Sequence, residues 1–328
     1  MATKKEYRVS NIPDAPIIDQ NGNIRPSSVW GNTYFVDYRN GDDTNNGLSR
    51  LNAKKTLSSA NTNLVTSNNW DLVVIDPDST VAETAMITVA KNRVNFVGDT
   101  AGRLYGAGAK VSVGVTTAAT DIGTMINTGV RNAFTGIKFI NNNTVTEGIY
   151  CVVESGEYTV YRNFEIYKST DLDQTAASEL VLNGDSCQFF DGTIGSLADA
   201  QTGTTIRPGV ALNNGLAGSG TDQMRECYFE GVRLLKSAGH TTGAFVYATA
   251  DADVQRTLEF RDCAFINAAN AAATPAVAIA SAATLTVGKI LVTGNSYESG
   301  CTALATATGI FVSMPTYAAG GGSAIQAT

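Results

Sequence analysis

Acid pairs, a lone histidine, scattered cysteines and an oxygen-rich loop are the groups in this chain that could do chemistry. Hydrolysis of a glycosidic bond needs two carboxyls held roughly 5–10 Å apart. Asp171 with Asp173, Glu226 with Glu230, and Asp251 with Asp253 are the candidates. The aspartate pairs lie in turn-like sequence, where Asp is favoured because it bonds its own backbone; local structure is the expected role. An elimination reaction would need cation-binding acids and a basic side chain. Arg225, Arg233, Arg256 and Arg261 recur close together, and such arginines are expected to pack their stems on the surface. Asp42 and Asp43 sit in an Asn- and Gly-rich loop with enough oxygens for Ca²⁺ but without EF-hand spacing, so a plain turn is expected there.

The remaining groups point the same way. His240 is the only histidine, and no nucleophile elbow accompanies it. The glycine runs at 215–220 and 320–322 lack a following Lys-Ser/Thr, so no phosphate loop is implied. Cys151, Cys187, Cys227, Cys263 and Cys301 are odd in number, widely spaced and without CxxC. They are expected to be reduced and packed as small hydrophobes, not held in disulfides or on zinc. No catalytic, cofactor-binding or metal-binding residue is therefore expected, and the chain reads as a non-enzyme.

The 328 residues are 43% hydrophobic and only 16% charged, against about 25% charged in ordinary soluble domains. The net charge of −7 comes with no basic stripe, which argues against a nucleic-acid partner. The most apolar window, 271–292, contains Pro275 and Lys289 and is rich in Ala and β-branched residues; buried strands are expected there, not a membrane span. No apolar leader follows Met1, which suits synthesis in a cytoplasm.

These groups must be positioned by something, and the pattern of elements is β throughout. Residues 1–30 read as an extended arm, with Pro13, Pro16 and Pro26 and a turn at 21–23. From residue 31 short strands follow one another: 34–36, 70–75, 93–98, 110–113, 136–140, 180–182, 257–260, 289–292 and 309–312. None carries a helical stripe; residues 53–61 are the best short-helix candidate. A repeat decides the architecture. Cys-x-Phe recurs at 187–189, 227–229 and 263–265, each after a polar residue. With weaker copies, aromatics at 134, 164, 189, 229, 265 and 297 stand 30, 25, 40, 36 and 32 residues apart. Periods of 20–50 residues mark solenoids. Coils stacked at about 4.8 Å would pile these cysteines and aromatics into internal columns. The expected fold is all-β: a right-handed parallel β-helix at 31–300, with a short capping helix, the arm at 1–30, and a C-terminal cap or tail at 301–328.

Particular residues strengthen that expectation. Tyr34-Phe35-Val36-Asp37, then residues 40–48 (NGDDTNNGL), then Lys55-Thr56-Leu57-Ser58-Ser59-Ala60 resemble the entry segment of right-handed parallel β-helix proteins of the pectate-lyase-like type. In that family the Lys-Thr-Leu segment opens a helix that caps the bore. The resemblance covers about residues 33–300. The turn after the first buried strand departs from it, with Asp76-Pro77-Asp78 where enzymes of this type often have Pro-Gly-x-Tyr. The resemblance implies either a virion structural protein of a phage or a polysaccharide-acting protein. The first is the leading expectation: a homotrimeric capsid decoration (cement) protein that stabilises the head. It would contact the major capsid protein through its N-terminal arm and bind neither nucleic acid nor membrane. The alternative is a tailspike-like protein that binds or degrades polysaccharide.

Overall fold

A computed structural model of the chain describes residues 17–18, 24–25, 31–76, 82–99, 111–115, 123–141, 150–168, 178–201, 208–212, 224–238, 244–268, 275, 277–305 and 308–312. The chain forms a right-handed parallel β-helix. Every strand pairing in the solenoid is parallel among the described residues, and each strand but those at the sheet ends pairs with strands one coil before and one coil after it. Three sheets result. Sheet 1 has ten strands, from Thr33–Val36 to Ile310–Val312; sheets 2 and 3 have eight each. In the arm, Ile17–Ile18 pairs antiparallel with Ile24–Arg25 across the turn expected at 21–23.

The strands alternate inward and outward where the sequence alternates, because successive side chains of a strand leave opposite faces. Thr33–Val36 and Lys289–Thr293 bury every second residue. The inward positions of sheet 1 align, coil by coil, as Tyr34, Val73, Phe96, Phe134, Tyr161, Phe189, Phe229, Phe260 and Val292. The rings from Phe96 to Phe260 stack with centroids 5.0, 4.9, 4.8, 4.3 and 4.8 Å apart. Rung spacing and ring spacing thus coincide, and offset stacking adds about 0.5–1.5 kcal/mol per contact beyond burial.

Two corners share one device. Between sheets 1 and 2 a left-handed residue stands on six successive rungs: Gly136, Asn163, Asp191, Gly231, Asp262 and Gly294, with φ of 68°, 45°, 52°, 65°, 52° and 65°. Between sheets 3 and 1 the same conformation recurs at Arg93, Arg131, Tyr158, Ser186 and Glu226, with φ of 51–61°. All turn the chain sharply, and all but Gly294 and Glu226 donate their N–H to the next coil, as Asn163 does to the Phe190 carbonyl (3.0 Å) and Tyr158 to the Asp185 carbonyl (2.8 Å).

This shared device corrects the repeat read from the sequence. Cys187 and Cys227 are equivalent, both at the corner entering sheet 1. Cys263 follows Asp262 at the other corner, so Phe265 belongs to sheet 2 above Leu234. Phe164 also lies past that corner, and Tyr297 points outward, 51% exposed. A polar left-handed residue followed by an apolar alternation looks alike at both corners, so spacing alone could not separate them. The cysteines do not form one column, although Cys151, Cys187, Cys227 and Cys263 are buried and free as expected.

The short helix is Leu57–Asn63. The Thr56 hydroxyl accepts from Ser59 N (3.1 Å), and the Glu83 carboxylate accepts from Leu57 N (2.7 Å) and from the Tyr38 hydroxyl (2.7 Å). Its Leu57 and Ala60 join the core. No helix among the described residues is long and apolar enough to cross a membrane.

Candidate functional site

The outer face of sheet 1 changes character along the axis. On the first coils it is apolar, with Leu72, Val74 and Val97 packed together beside Phe35. The Arg50 guanidinium lies 5.4 Å above the Phe35 ring and pairs with Asp76 and Asp99. On the middle and later coils the outward columns turn aromatic and charged. One runs Thr135, Arg162, Phe190, Glu230, Arg261, Thr293; the column beside it runs Val160, Gln188, Tyr228, Glu259, Leu291.

These side chains hold one another. The Arg162 guanidinium stacks 4.3 Å from the Phe190 ring centroid, and Phe190 meets Tyr228 edge-on at 6.0 Å. Burial lowers the pKa of Arg162, against the nearby charges of Asp191 and Glu230. The Tyr228 hydroxyl donates to Glu230 Oε2 (3.0 Å). Burial and that hydrogen bond raise the Tyr228 pKa, while the adjoining Arg261 opposes the rise. The Thr293 hydroxyl donates to Glu259 Oε1 (2.7 Å). Glu259 stands opposite Tyr228, so Glu230 and Glu259 are diagonal neighbours, with Cα atoms about 8 Å apart by rung and residue spacing. The face therefore combines flat apolar rings, two guanidinium groups and two glutamates on adjacent coils.

Of the acid pairs weighed as candidates in the sequence, those among the described residues are engaged in local structure. Glu226 and Glu230 lie four residues apart on extended chain, about 13 Å, and Glu226 is ion-paired to Arg256 (2.6 Å) at the corner. Asp251 accepts from Thr286 N (2.6 Å) and Val287 N (3.1 Å). Asp253 accepts from Thr249 N (2.8 Å), its hydroxyl (2.6 Å) and Ala250 N (2.8 Å). Both are turn residues, as the sequence suggested. Asp171, Asp173 and His240 lie outside the described residues. Asp42 accepts from Thr44 N (2.8 Å), and Asp43 accepts from Lys55 N and Thr56 N (2.9 Å each) and from the Thr56 hydroxyl (3.0 Å). That is loop and helix-start architecture. Among the described residues no three His, Cys, Asp or Glu side chains gather into a metal site. Of the recurring arginines, Arg233 donates to Thr193 (3.2 Å) and Arg225 bonds Gln255; only Arg261 joins the sheet 1 face.

Sequence reasoning missed Arg162, Phe190, Tyr228 and Glu259 as a group. The alternation in Cys227–Glu230 places Tyr228 and Glu230 outward, but their neighbours come from other coils, and only register reveals them.

Fold and face together define a parallel β-helix presenting a long, mixed aromatic and charged surface. No family model and no curated protein sequence matches the chain. Among solved structures it is similar to a pectate lyase, Pel9A, at 14% identity and a TM-score of 0.55, over 81% of this chain and 62% of that one. A rhamnogalacturonan lyase matches at 14% identity and 0.49, over 82% and 68%. ORF18 of Geobacillus virus E2 matches at 11% and 0.39, over 79% and 57%. The chain thus spans less than two thirds of the length of the pectate lyase, and at this identity the likeness is one of backbone shape. It still overturns the expectation of a non-enzyme. That expectation rested on candidate acid pairs read as turn residues and on a scaffold read as structural; the backbone has the shape of a pectate lyase, and register places Glu230 and Glu259 on adjacent coils.

Proposed function

We propose that this chain is a tailspike-like protein that binds an extended polysaccharide along the outer face of sheet 1 and hydrolyses it there. The observation that carries the reading is the aligned pair of outward columns, Arg162–Phe190–Glu230–Arg261 beside Gln188–Tyr228–Glu259. A sugar ring has an apolar C–H face that suits Phe190 and Tyr228, and hydroxyls that suit the surrounding amide, guanidinium and carboxyl groups. Glu230 and Glu259 supply a proton donor for the leaving oxygen and a base for water. The aromatic and charged face favours this reading over the cement protein. The virion as location and the homotrimer belong to the same proposal; light scattering of the purified chain tests the latter.

The direct experiment screens the purified chain against bacterial surface polysaccharides and plant polysaccharides, reading binding by affinity electrophoresis and cleavage by new reducing ends. Tyr228→Ala is expected to weaken binding about tenfold, equal to some 1.4 kcal/mol. Glu230→Gln and Glu259→Gln are each expected to abolish cleavage and leave binding in place. Binding indifferent to Tyr228→Ala, or cleavage surviving both glutamine variants, overturns the assignment of this face.

A further inference from the structure

The two left-handed corners provide a comparison within one molecule. Between sheets 1 and 2 the position is filled by Gly136, Asn163, Asp191, Gly231, Asp262 and Gly294, the residue types that adopt positive φ with least strain. Between sheets 3 and 1 the same backbone position holds none of these. Register carried two residues back from sheet 1 gives the column Trp70, Arg93, Arg131, Tyr158, Ser186, Glu226, of which the first four are large side chains with φ of 56°, 57°, 61° and 55°. Folding alone would be better served by Gly or Asn, so these four large side chains are retained against the backbone's preference. Strain kept in this way is a mark of function.

The side chains form a ladder on the outer edge. The Arg93 guanidinium lies 5.7 Å from the Trp70 ring centroid, and the Arg131 guanidinium 5.5 Å from that of Tyr158. Two cations therefore sit on adjacent rungs between two aromatic faces, spanning about 14 Å at 4.8 Å per rung. Glu157 and Asp185 occupy the adjacent column, yet neither arginine is ion-paired among the described residues. Stacked on rings, the guanidinium groups are oriented without a carboxylate, and their N–H edges stay available for bidentate bonding to an oxyanion.

We infer that this corner is a second binding site, for an anionic saccharide. The carboxylate or phosphate is held between Arg93 and Arg131, and the flanking sugar faces lie on Trp70 and Tyr158. From the proposed function this takes only that the ligand is a saccharide; the site is a different one. In a chain of net charge −7 such selectivity must come from this local pair and not from the overall field.

Calorimetric titration tests it with three probes: an oligogalacturonide for the carboxylate, a phosphorylated mannan oligosaccharide for the phosphate, and uncharged maltohexaose. The wild-type chain is expected to bind at least one acidic probe about tenfold or more tighter than maltohexaose, with the preference falling as salt rises; which acidic probe wins identifies the oxyanion. Arg93→Asn with Arg131→Asn is expected to erase the preference while keeping or raising Tm, because Asn accepts the left-handed conformation. Arg131→Asn alone, expected to lose about threefold, serves if the double variant does not fold. Absence of any acidic preference in the wild type, or its persistence in a folded variant, overturns the inference. Tyr228→Ala separates the two sites: Tyr228-dependent glycan binding without acidic preference defeats the corner alone, and arginine-dependent acidic binding without a Tyr228 effect defeats the sheet 1 face alone.

Discussion

Glu154 shows how a single buried group sets a pH dependence in this fold. Its carboxyl points into the bore and accepts from Asn127 Nδ2 (2.9 and 3.0 Å), Gly156 N (2.7 Å) and the hydroxyl of Tyr161 (2.6 Å). Burial pushes its pKa up to about 7 from 4.5, although the donors around it oppose the rise. The folded chain therefore holds a proton here that the unfolded chain has released above pH 4.5. Stability from this group is full below that pH and declines as pH climbs to about 7. The difference is worth roughly 3 kcal/mol, using 1.36 kcal/mol per pKa unit. Glu83, raised by burial at the helix start, adds a slope of the same sign. Thermal melts at pH 5 and pH 8 should show a smaller loss of Tm for Glu154→Gln than for the wild type; parallel losses would refute the assignment.

At the scale of strands and columns, the aromatic stack is the element that holds the coils in register. Phe229 lies between Phe189 and Phe260 at 4.3 and 4.8 Å and is fully buried. Phe229→Ala should lose about 3–5 kcal/mol in urea unfolding. Phe311→Ala, on the last strand of sheet 1 and 55% exposed, should lose under about 1 kcal/mol. Comparable losses would mean that the stack is not what is being measured. Much of this level was legible in the sequence. The strands at 72–75, 95–98, 137–141 and 289–293 fall where short apolar runs stood, and Thr56-Leu57 opens the expected helix. The sorting of the aromatics into columns was not legible, because Phe164, Phe265 and Tyr297 follow a corner that imitates the other one locally. Glu230 and Glu259 were unreadable as a pair for a related reason: their proximity is a property of register between coils, which no local pattern encodes.

For the whole molecule, stability is distributed along one axis, since each coil touches only its neighbours. Middle coils are sandwiched on both sides, while Ile310–Val312 in sheet 1 pairs on one side only among the described residues. Hydrogen exchange should therefore be slowest across Ala133–Thr135, Val160–Arg162 and Gln188–Phe190 and fastest at Ile310–Val312. Uniform protection would argue for a single cooperative block. The three edges of the prism also differ in a way that bears on change. From sheet 1 to sheet 2 the chain crosses in one to three residues on the six coils from Thr135 to Tyr297, as at Arg162 to Glu165 and Phe190 to Thr193. From sheet 2 to sheet 3 most connections are longer detours of unequal length, nine residues between Lys168 and Ser178 and seven between Ala238 and Val246. A cassette spliced into one of those detours would leave the stacked rings and both outward ladders undisturbed. New recognition can thus be grafted along one edge of the prism without renegotiating the rest of the molecule.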